Sequence, residues 1–394
     1  MTPDGAKKGN KVEEMELKDY RELIDKADDE LMRGFIARME VSAQLSAYKK
    51  AHGLQVYDPA RERAKLLETE SKAPEELREY VASLYSLLFE LSRSYQNRLA
   101  AGPMELSEQI SAAVRDTQPL FPERATVACQ GVEGAYSQIA CSRLFRRPDI
   151  LYFPTFDAVF TAIEEGRCPY GVIPVENSTA GTVNAVYDLM MQHDFRIVRS
   201  IRLKVEHNLL VKPGTKLEDI REIYSHEQAI NQCGAFLQTL TDVKVIPCAN
   251  TAMAAKMVAE SGRSDVAALS SHACMKLYGL ACLKEAVQNQ DNNFTRFICI
   301  SKKLEIFPGA DRTSFMAVLP HEPGSLYKLL SRFYAQGVNL NKLESRPMPN
   351  RNFEFMFYFD LESSVYSPRF LQLMGELPTL CEKFSYLGSY SEIV

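Results

Sequence analysis

A proline-free stretch from Leu17 to Lys50 constrains this chain more than any other part of its sequence. Along it, apolar residues recur at the spacing of one helical face. They are Tyr20, Ile24, Ala27, Leu31 and Leu45. At ~1.5 Å per residue, one helix over this stretch would be roughly 50 Å long, which is more than a short domain can cover. We therefore expect a second copy of the chain to pack along it.

Two cations share the apolar face of this predicted helix. Arg38 and Lys49 are eleven positions apart, so at about 100° per residue they point within roughly 20° of each other. Desolvating an unpaired charge costs several kcal/mol. Either an internal carboxylate or an anionic ligand must therefore face them.

Two further helices are predicted. Asp58 and Pro59 mark the start of the first, as an acidic N-cap followed by proline at the first helical position. The second begins at Pro74 and runs to about residue 99, and its apolar stripe also carries Ser92 and Gln96. A satisfied core group would explain any one of these polar residues. Together they indicate a polar cavity in a helical bundle.

Residues 17 to 100 resemble the all-helical chorismate mutase family, whose ligand residues occur here in order. They are Arg21, Arg38, Lys49, Asp58, Arg61, Glu62, Ser92 and Gln96. The resemblance implies a site shared by two subunits, with Arg21 reaching across from the partner. Arg38 and Arg61 would hold carboxylates, and Asp58 would cap its helix. Lys49 and Gln96 would face the breaking ether bond, while Glu62 takes the ring hydroxyl. A Claisen rearrangement needs this positioning and charge stabilisation, without a nucleophile or metal.

The middle of the chain has a different pattern. Residues 103–125 are mixed and polar, which predicts a linker. From Thr126, short apolar runs alternate with helical segments, as in parallel α/β layers. Polar loops follow three of the predicted strands, at residues 131–137, 176–181 and 224–226, and loops at the carboxyl ends of strands can share a ligand cleft. The first loop lacks the Gly-x-Gly-x-x-Gly spacing, so a dinucleotide cofactor is not indicated.

The stretch from Asn292 to Phe297 places a hydroxyl beside a guanidinium, between two phenylalanines and behind two amides. Thr295 and Arg296 would thus offer a proton donor and an anion anchor in a semi-dry setting. The alternative is a strand edge that carries a surface Thr-Arg pair.

This stretch and the three loops resemble the prephenate dehydratase family over residues 126–303. The resemblance implies a two-lobed fold similar to periplasmic ligand-binding proteins, with Thr295 as the general acid that protonates the departing ring hydroxyl. It also implies substrate contacts for Asn177, Ser178, Ser225, Gln232 and Arg296. Loss of water and carbon dioxide makes the ring aromatic, which supplies much of the driving force.

Residues 310–394 read as strand, helix, strand, strand, helix, strand, which is a ferredoxin-like βαββαβ unit. They resemble the ACT regulatory domains attached to prephenate dehydratases, in which phenylalanine binds between paired domains. The residues that carry this resemblance are Gly324, Ser325, Leu326, Glu344, Ser345 and Arg346. The alternative reading of these motifs is a turn glycine and a charged strand end.

Composition excludes several classes of function. A net charge of -5 and a pI near 5.8 leave no basic field to attract nucleic acid or an acidic membrane. Nine scattered cysteines without a Cys-x-x-Cys pair fit reduced thiols in the cytosol, and six dispersed histidines do not indicate a metal site. Residues 1–16 read as a frayed tail without a signal peptide, and no stretch is apolar enough to span a bilayer.

In this order, the resemblances are those of the bifunctional chorismate mutase/prephenate dehydratase family. They imply an all-α helical domain (17–102), a two-lobed α/β domain (126–303) and an α+β regulatory domain (310–394). Chorismate would become prephenate and then phenylpyruvate in the cytoplasm, without a cofactor, in a homo-oligomer (dimer or tetramer) inhibited by phenylalanine. Two alternatives remain open: a dehydratase that prefers arogenate, and a non-catalytic phenylalanine sensor. A sensor would have no use for Thr295 or for the mutase residues.

Overall fold

The computed structural model describes residues 16–100, 105–348 and 354–394. The chain divides into two compact units, residues 1–104 and residues 105–394. Within the described residues, no helix is both long enough and apolar enough to cross a membrane.

The described part of the first unit is built on three α-helices: α1 (Leu17–Ala51), α2 (Pro59–Lys72) and α3 (Arg78–Ala100). The prediction of one long first helix is confirmed, since α1 has 35 residues. The predicted start of α2 is confirmed as well, because the Asp58 carboxylate accepts a hydrogen bond from the Arg61 backbone N–H at 3.0 Å. Both α1 and α2 pack against α3.

The apolar face predicted for α1 is largely uncovered within the described part of the chain. Tyr20, Ile24 and Leu31 are 53%, 58% and 59% exposed. Arg38, further along the same helix, is instead partly buried against α3. The second half of α1 therefore belongs to the bundle, whereas its first half presents apolar side chains to solvent.

The second unit begins with a helix where the sequence predicted a linker. In α4 (Glu105–Asp116), Ile110 and Ala113 are buried in a core with Phe315 and Leu373. The linker prediction for residues 103–125 is therefore wrong over α4. Ile110 and Ala113 are three positions apart and lie on one helical face, and this short apolar pattern was hidden among polar neighbours.

The elements that follow divide into two groups. Up to residue 301 they are β1 (Arg124–Gln130), α5 (Tyr136–Leu144), β2 (Arg147–Phe153), α6 (Phe156–Glu164), β3 (Tyr170–Asn177), β4 (Gly181–Thr182), α7 (Asn184–Met190), β5 (Arg196–Lys204), β6 (Asn208–Val211), β7 (Glu222–Ser225), α8 (Glu227–Gln232), α9 (Gly234–Leu237), β8 (Lys244–Pro247), α10 (Thr251–Glu260), β9 (Val266–Ser270), α11 (His272–Tyr278), β10 (Ala281–Lys284) and β11 (Phe294–Ser301). The last group is β12 (Arg312–Val318), α12 (Ser325–Gln336), β13 (Asn339–Pro347), β14 (Phe355–Glu362), α13 (Pro368–Glu376), β15 (Lys383–Tyr390) and β16 (Glu392–Ile393).

The first group forms two lobes, each built on one sheet. The first sheet has the strand order β16-β5-β11-β3-β1-β2, with β4 beside β3, and the second has the order β10-β6-β9-β7-β8. We call these sheets, with helices α5–α7 and α8–α11 respectively, the first and second lobes. Parallel layers were predicted, but β11 runs antiparallel to both β3 and β5, and β6 runs antiparallel to β9. Both sheets are therefore mixed, and β11 joins the first sheet only after the chain has built the second lobe.

The last group forms a third sheet with the order β13-β14-β12-β15, all antiparallel. Its strands and helices follow the predicted βαββαβ order. One face packs against α4, α12 and α13 around Phe315 and Phe359. The other face packs on the first lobe, where Tyr358 meets Tyr187 edge to face at 4.9 Å between ring centroids. The third sheet therefore contacts the first lobe directly.

Candidate functional site

A cavity of about 530 Å³ lies among the three helices of the first unit. Seven of the eight residues predicted for this site line it: Arg38, Lys49, Asp58, Arg61, Glu62, Ser92 and Gln96. The eighth, Arg21, lies outside the cavity on the exposed half of α1. The described lining residues include five cations and two carboxylates. Such a cavity suits a small ligand with more than one negative charge.

Two main-chain carbonyls and one hydroxyl hold Arg38 and Lys49 in place. Arg38 donates from Nη1 to the Leu88 carbonyl at 2.9 Å and also to the Ser92 hydroxyl. Lys49 donates from Nζ to the Val56 carbonyl at 2.7 Å. Burial lowers the pKa of Arg38, although the nearby Glu62 carboxylate acts in the opposite direction. Both cations are thus oriented toward the cavity by neutral main-chain acceptors, which leave their charge available to a ligand.

Arg93 is a member of this site that the sequence analysis missed. Its guanidinium bridges the carboxylates of Glu62 and Glu90 and lies over the ring of Tyr57, with 5.0 Å from Cζ to the ring centroid. Burial alone would lower the pKa of Arg93, but the two carboxylates outweigh it and raise the pKa. Only its spacing of three residues from Glu90 could have indicated the pairing.

Gln96 is buried, and its Oε1 accepts no hydrogen bond from any residue that the structure describes. A buried amide oxygen without a partner is rare in a helical core, because leaving it unsatisfied costs free energy. Its position on the cavity wall indicates that the amide is placed for a ligand.

A second cavity, of about 610 Å³, lies in the second unit, beside the loop after β3, helix α8 and the segment before β11. Amide side chains dominate its lining: Gln228, Asn231, Gln232, Gln288, Asn289, Gln290 and Asn293. Among the lining residues that the structure describes there is no lysine or arginine. The predicted anion anchor is therefore missing from this cavity, and neutral donors must take its place.

A closed ring of hydrogen bonds connects the cavity to Thr295. Asn177 donates from Nδ2 to Asn293 Oδ1 at 2.7 Å, and Asn293 donates to Gln232 Oε1 at 3.0 Å. Gln232 donates to Thr179 Oγ1 at 2.7 Å, and Thr179 donates back to Asn177 Oδ1 at 2.7 Å. Asn177 also donates to Thr295 Oγ1 at 2.9 Å. Thr295 itself is half-buried and does not line the cavity. Because it accepts this bond, its own hydroxyl proton remains available for donation.

The buried His207 contacts this ring through Gln232. The sequence analysis did not identify it. It is 3% exposed, and its Nε2 lies 2.9 Å from Gln232 Oε1. Burial lowers the pKa of His207, and the hydrogen bond to Gln232 offsets this only in part. A neutral imidazole with its proton on Nε2 would donate to Gln232 and fix the orientation of that amide. A lone histidine between two strands gave no signal in the sequence.

Of the five residues predicted to contact the dehydratase substrate, only Gln232 lines the cavity. Asn177 lies directly behind the lining, through its bond to Asn293. Ser178 connects its loop to β11, since its hydroxyl donates to the Asn292 carbonyl at 2.6 Å and accepts from the Phe294 N–H at 2.9 Å. The prediction for Ser225 is contradicted, because its hydroxyl is fully buried and donates to the Leu269 carbonyl at 2.8 Å.

The prediction that Arg296 anchors the substrate is also contradicted. Neighbouring residues in a strand point to opposite faces of the sheet, so Thr295 and Arg296 cannot face one ligand together. Arg296 is 4% exposed and points to the third sheet, where it pairs with Asp360 and with Glu392. The sequence placed the two residues side by side, but the pleat of β11 separates them.

The six residues predicted to bind phenylalanine lie at the start of α12 and in β13. Gly324 is the N-cap of α12 with φ +85°, followed by Ser325 and Leu326. Glu344 and Arg346 instead face the first lobe. Glu344 accepts from Thr182 Oγ1 at 2.8 Å, and Arg346 pairs with Asp188 at 2.7 Å. Alternation along β13 turns Ser345 away from Glu344 and Arg346. The binding of phenylalanine between paired copies of this domain stays a prediction.

Comparison with known proteins gives two family matches. Residues 20–97 match the family model of chorismate mutase type II, and residues 127–305 match that of prephenate dehydratase. In the described residues, no group of three or more His, Cys, Asp or Glu side chains is arranged to hold a metal ion.

Three similar proteins cover different parts of the chain. The bifunctional chorismate mutase/prephenate dehydratase of Aquifex aeolicus is 30% identical over 95% of this chain and 98% of its own length. Arogenate dehydratase/prephenate dehydratase 1 of Arabidopsis thaliana is 35% identical over 68% of this chain and 72% of its own. The solved structure of prephenate dehydratase in complex with L-Phe from Arthrobacter aurescens is 26% identical, with a TM-score of 0.62, over 68% of this chain and 89% of that chain.

Proposed function

Because this chain belongs to the bifunctional chorismate mutase/prephenate dehydratase family, we propose that it performs both steps at separate sites. Its helical unit rearranges chorismate to prephenate, and its second unit converts prephenate to phenylpyruvate. The observation that carries the first assignment is the assembly of Arg38, Lys49 and Gln96 around one cationic cavity. The ring that connects Thr295 to the second cavity supports the second assignment.

In the helical unit, the protein needs to fold a dicarboxylate into a reactive conformation and to stabilise charge on the breaking ether oxygen. Arg38 and Arg61 hold the carboxylates. Lys49 and the amide nitrogen of Gln96 donate to the ether oxygen, which gains negative charge in the transition state. Glu62 binds the ring hydroxyl, and Arg93 fixes the Glu62 carboxylate in position.

In the second unit, Thr295 protonates the departing ring hydroxyl, and the substrate carboxylate is lost as carbon dioxide. Asn177 orients the threonine by donating to its oxygen. Gln232 and Asn293, which line the cavity, bind the carboxylates through their neutral amides. A threonine is a weak acid, but formation of an aromatic ring provides the driving force.

Regulation and assembly form the remainder of the proposal. The third sheet acts as an ACT regulatory domain that binds phenylalanine, with Gly324, Ser325, Leu326 and Ser345 available to a paired copy. The exposed apolar half of α1 packs against a second copy, and Arg21 enters the partner's helical cavity. The described cysteines are all free thiols, which suits the reducing cytoplasm. The domain boundaries proposed are 17–102, 126–303 and 310–394, with α4 added to the last.

Product formation from chorismate and from prephenate tests the two sites. Lys49→Ala should abolish prephenate formation and spare phenylpyruvate formation from added prephenate. Thr295→Ala should do the reverse, and Thr295→Ser should keep part of the activity because it retains the hydroxyl. Normal prephenate turnover by Thr295→Ala would reject the proposed acid. Loss of both activities in either variant would reject separate sites.

The choice between prephenate and arogenate needs its own experiment, since the Arabidopsis relative carries both names. The two substrates differ by an amino group. We propose prephenate as the preferred substrate, because the relative that aligns over 95% of this chain is named a prephenate dehydratase and not an arogenate dehydratase. Competition between the two substrates for wild-type protein gives the ratio of kcat/KM values directly. A ratio in favour of arogenate would reverse the assignment, and turnover of neither would leave a phenylalanine sensor.

A further inference from the structure

A buried cluster of charges joins the first lobe to the third sheet, and Arg296 is at its centre. The Arg296 guanidinium pairs with Asp360 of β14, with Glu176 of β3 at 3.4 Å and with Glu392 of β16 at 3.2 Å. It also donates from Nη2 to the Tyr390 hydroxyl at 3.1 Å. Three strands outside β11 thus contribute a carboxylate to one arginine.

Two members of this cluster, Arg296 and Glu176, are next in sequence to Thr295 and Asn177, which lie behind the dehydratase cavity. In the pairing of β11 with β3, Thr295 lies opposite Asn177, and Arg296 lies opposite Glu176. The register shifts immediately afterwards, between Arg296 and Phe297. The Thr295–Asn177 hydrogen bond and the Arg296–Glu176 ion pair therefore join consecutive residues of β11 and β3, on opposite faces of the sheet. A movement of Arg296 relative to Glu176 displaces Thr295 relative to Asn177.

Residues of the third sheet pair with both Arg296 and Glu176. Asp360 is fully buried and reaches Arg296, and its Oδ1 accepts no hydrogen bond from a described residue. Lys342 of β13 pairs with Glu176 at 2.7 Å. Burial would raise the pKa of Glu176, but Lys342 and Arg296 outweigh it and lower the pKa. Glu176 is therefore an ionised carboxylate clamped between one cation from β11 and one from the third sheet.

We propose that Arg296 is a positioning residue of the dehydratase reaction, and that Asp360 of the third sheet sets its position. The inference rests on the proposed assignment of Thr295 as the acid. The guanidinium does not touch the substrate; it fixes the alignment of β11 on β3 and thereby the Thr295–Asn177 hydrogen bond. Because Asp360 does not line the cavity, its effect on catalysis must pass through Arg296.

The decisive variant is Asp360→Asn, assayed with prephenate in the full-length protein. We expect kcat to fall by about tenfold with KM changed less than about twofold, because a small misplacement of a catalytic group acts on the transition state. Arg296→Lys keeps the charge but loses the fork that reaches several carboxylates, so its kcat should lie between those of wild type and Arg296→Gln. Each variant is assayed well below its measured unfolding temperature.

Asp188→Asn is the matched control. It removes the Arg346–Asp188 ion pair, which also joins the third sheet to the first lobe but does not touch β11. If the cluster served only to attach the two parts, Asp188→Asn would lower kcat as much as Asp360→Asn does, and the proposal would be wrong.

Further outcomes also decide the proposal. Wild-type kcat in Asp360→Asn would overturn it even if Arg296→Gln failed to fold. A raised KM with normal kcat in Arg296→Gln would return Arg296 to substrate binding. Failure of the proposed function is separate, because in that case wild-type protein itself would not turn over prephenate, or Thr295→Ala would remain active.

Discussion

At the scale of single residues, Arg93 gives the clearest prediction for the helical unit. It is the shared partner of Glu62 and Glu90, so Arg93→Gln removes the cation that pairs with the partly buried Glu62 carboxylate. We expect mutase kcat/KM to fall by about tenfold or more, because Glu62 loses its fixed position. Dehydratase activity should stay unchanged, since that site belongs to the other compact unit.

The comparison for Arg93 is Lys72→Gln, which removes a cation that pairs with the exposed Glu68 on α2. This variant should keep wild-type mutase activity, because exposed ion pairs contribute little. The chorismate assay measures both. Equal activities of the two variants would show that Arg93 has no special role.

The burial of His207 should make the stability of the second unit depend on pH. Its pKa in the folded protein lies below the ordinary value of 6.5, so the unfolded chain binds a proton more readily than the folded one. Stability is therefore retained above about pH 6.5 and lost as the pH falls below it, by about 1.4 kcal/mol for each unit of pKa shift. His207→Gln should reduce the loss of stability between pH 8 and pH 5.5. Calorimetric unfolding at both pH values tests this, and an unchanged difference would contradict it.

What the sequence predicts at this scale depends on local geometry. The mutase residues were found because helical spacing places distant positions on one face, and Arg38 and Lys49 share the cavity wall. The role of Arg296 was predicted wrongly, because a family resemblance identifies a residue but not the face of the strand on which its side chain lies. His207 and Arg93 were missed because their partners, Gln232 and Glu62, are far away in sequence.

At the scale of elements, the contact between β15 and β5 depends on Gly388. A Cβ there would lie 2.3 Å from the Ile197 carbonyl oxygen, and the residue has φ +142°. Because the obstacle is backbone, Gly388→Ala should lower the free energy of unfolding by about 2–3 kcal/mol. Gly309→Ala is the control, since Gly309 has φ +85° but no atom within 4 Å of its Cβ position. Denaturant unfolding compares them, and equal losses would mean that conformation alone matters.

Most helices and strands could be predicted, because each has its own local pattern of apolar residues and of residues that begin or end it. The long helix α1, the start of α2 at Pro59 and the βαββαβ order of residues 310–394 were all predicted and are observed. Strand pairing was less accessible. Nothing in the sequence of β11 indicates that it lies between β5 and β3, or that Glu392 in β16 pairs with arginines of the first lobe. Such contacts join segments that are far apart in sequence, and the local pattern of each segment contains no sign of its partner.

At the scale of the whole molecule, the proposed dimer can be tested by complementation. Arg21→Ala removes the residue that would enter the partner's cavity, and Lys49→Ala removes one inside its own cavity. Each homodimer should lack mutase activity. After mixing and refolding, half of the dimers would be mixed, each with one intact site, so about one quarter of wild-type activity should return. Without subunit sharing, mixing would restore none.

The exposed face of α1 provides the control for assembly. Ile24→Glu places a charge on the apolar face and should lower the oligomeric state seen in sedimentation, with mutase activity lost and dehydratase activity retained. Lys26→Glu changes an exposed position away from that face and should leave the assembly unchanged. Sedimentation of Ile24→Glu identical to that of the wild type would rule out this interface.

The position of β11 in the first sheet also affects how the chain folds during synthesis. β5 ends at Lys204 and β11 begins at Phe294, and the whole second lobe lies between them. On the ribosome, the second lobe is complete before the centre of the first sheet has been made. We expect the second lobe to fold early, while β3 and β5 wait with unpaired edges until β11 emerges. The strand that carries Thr295 is thus also the one whose arrival closes the first lobe.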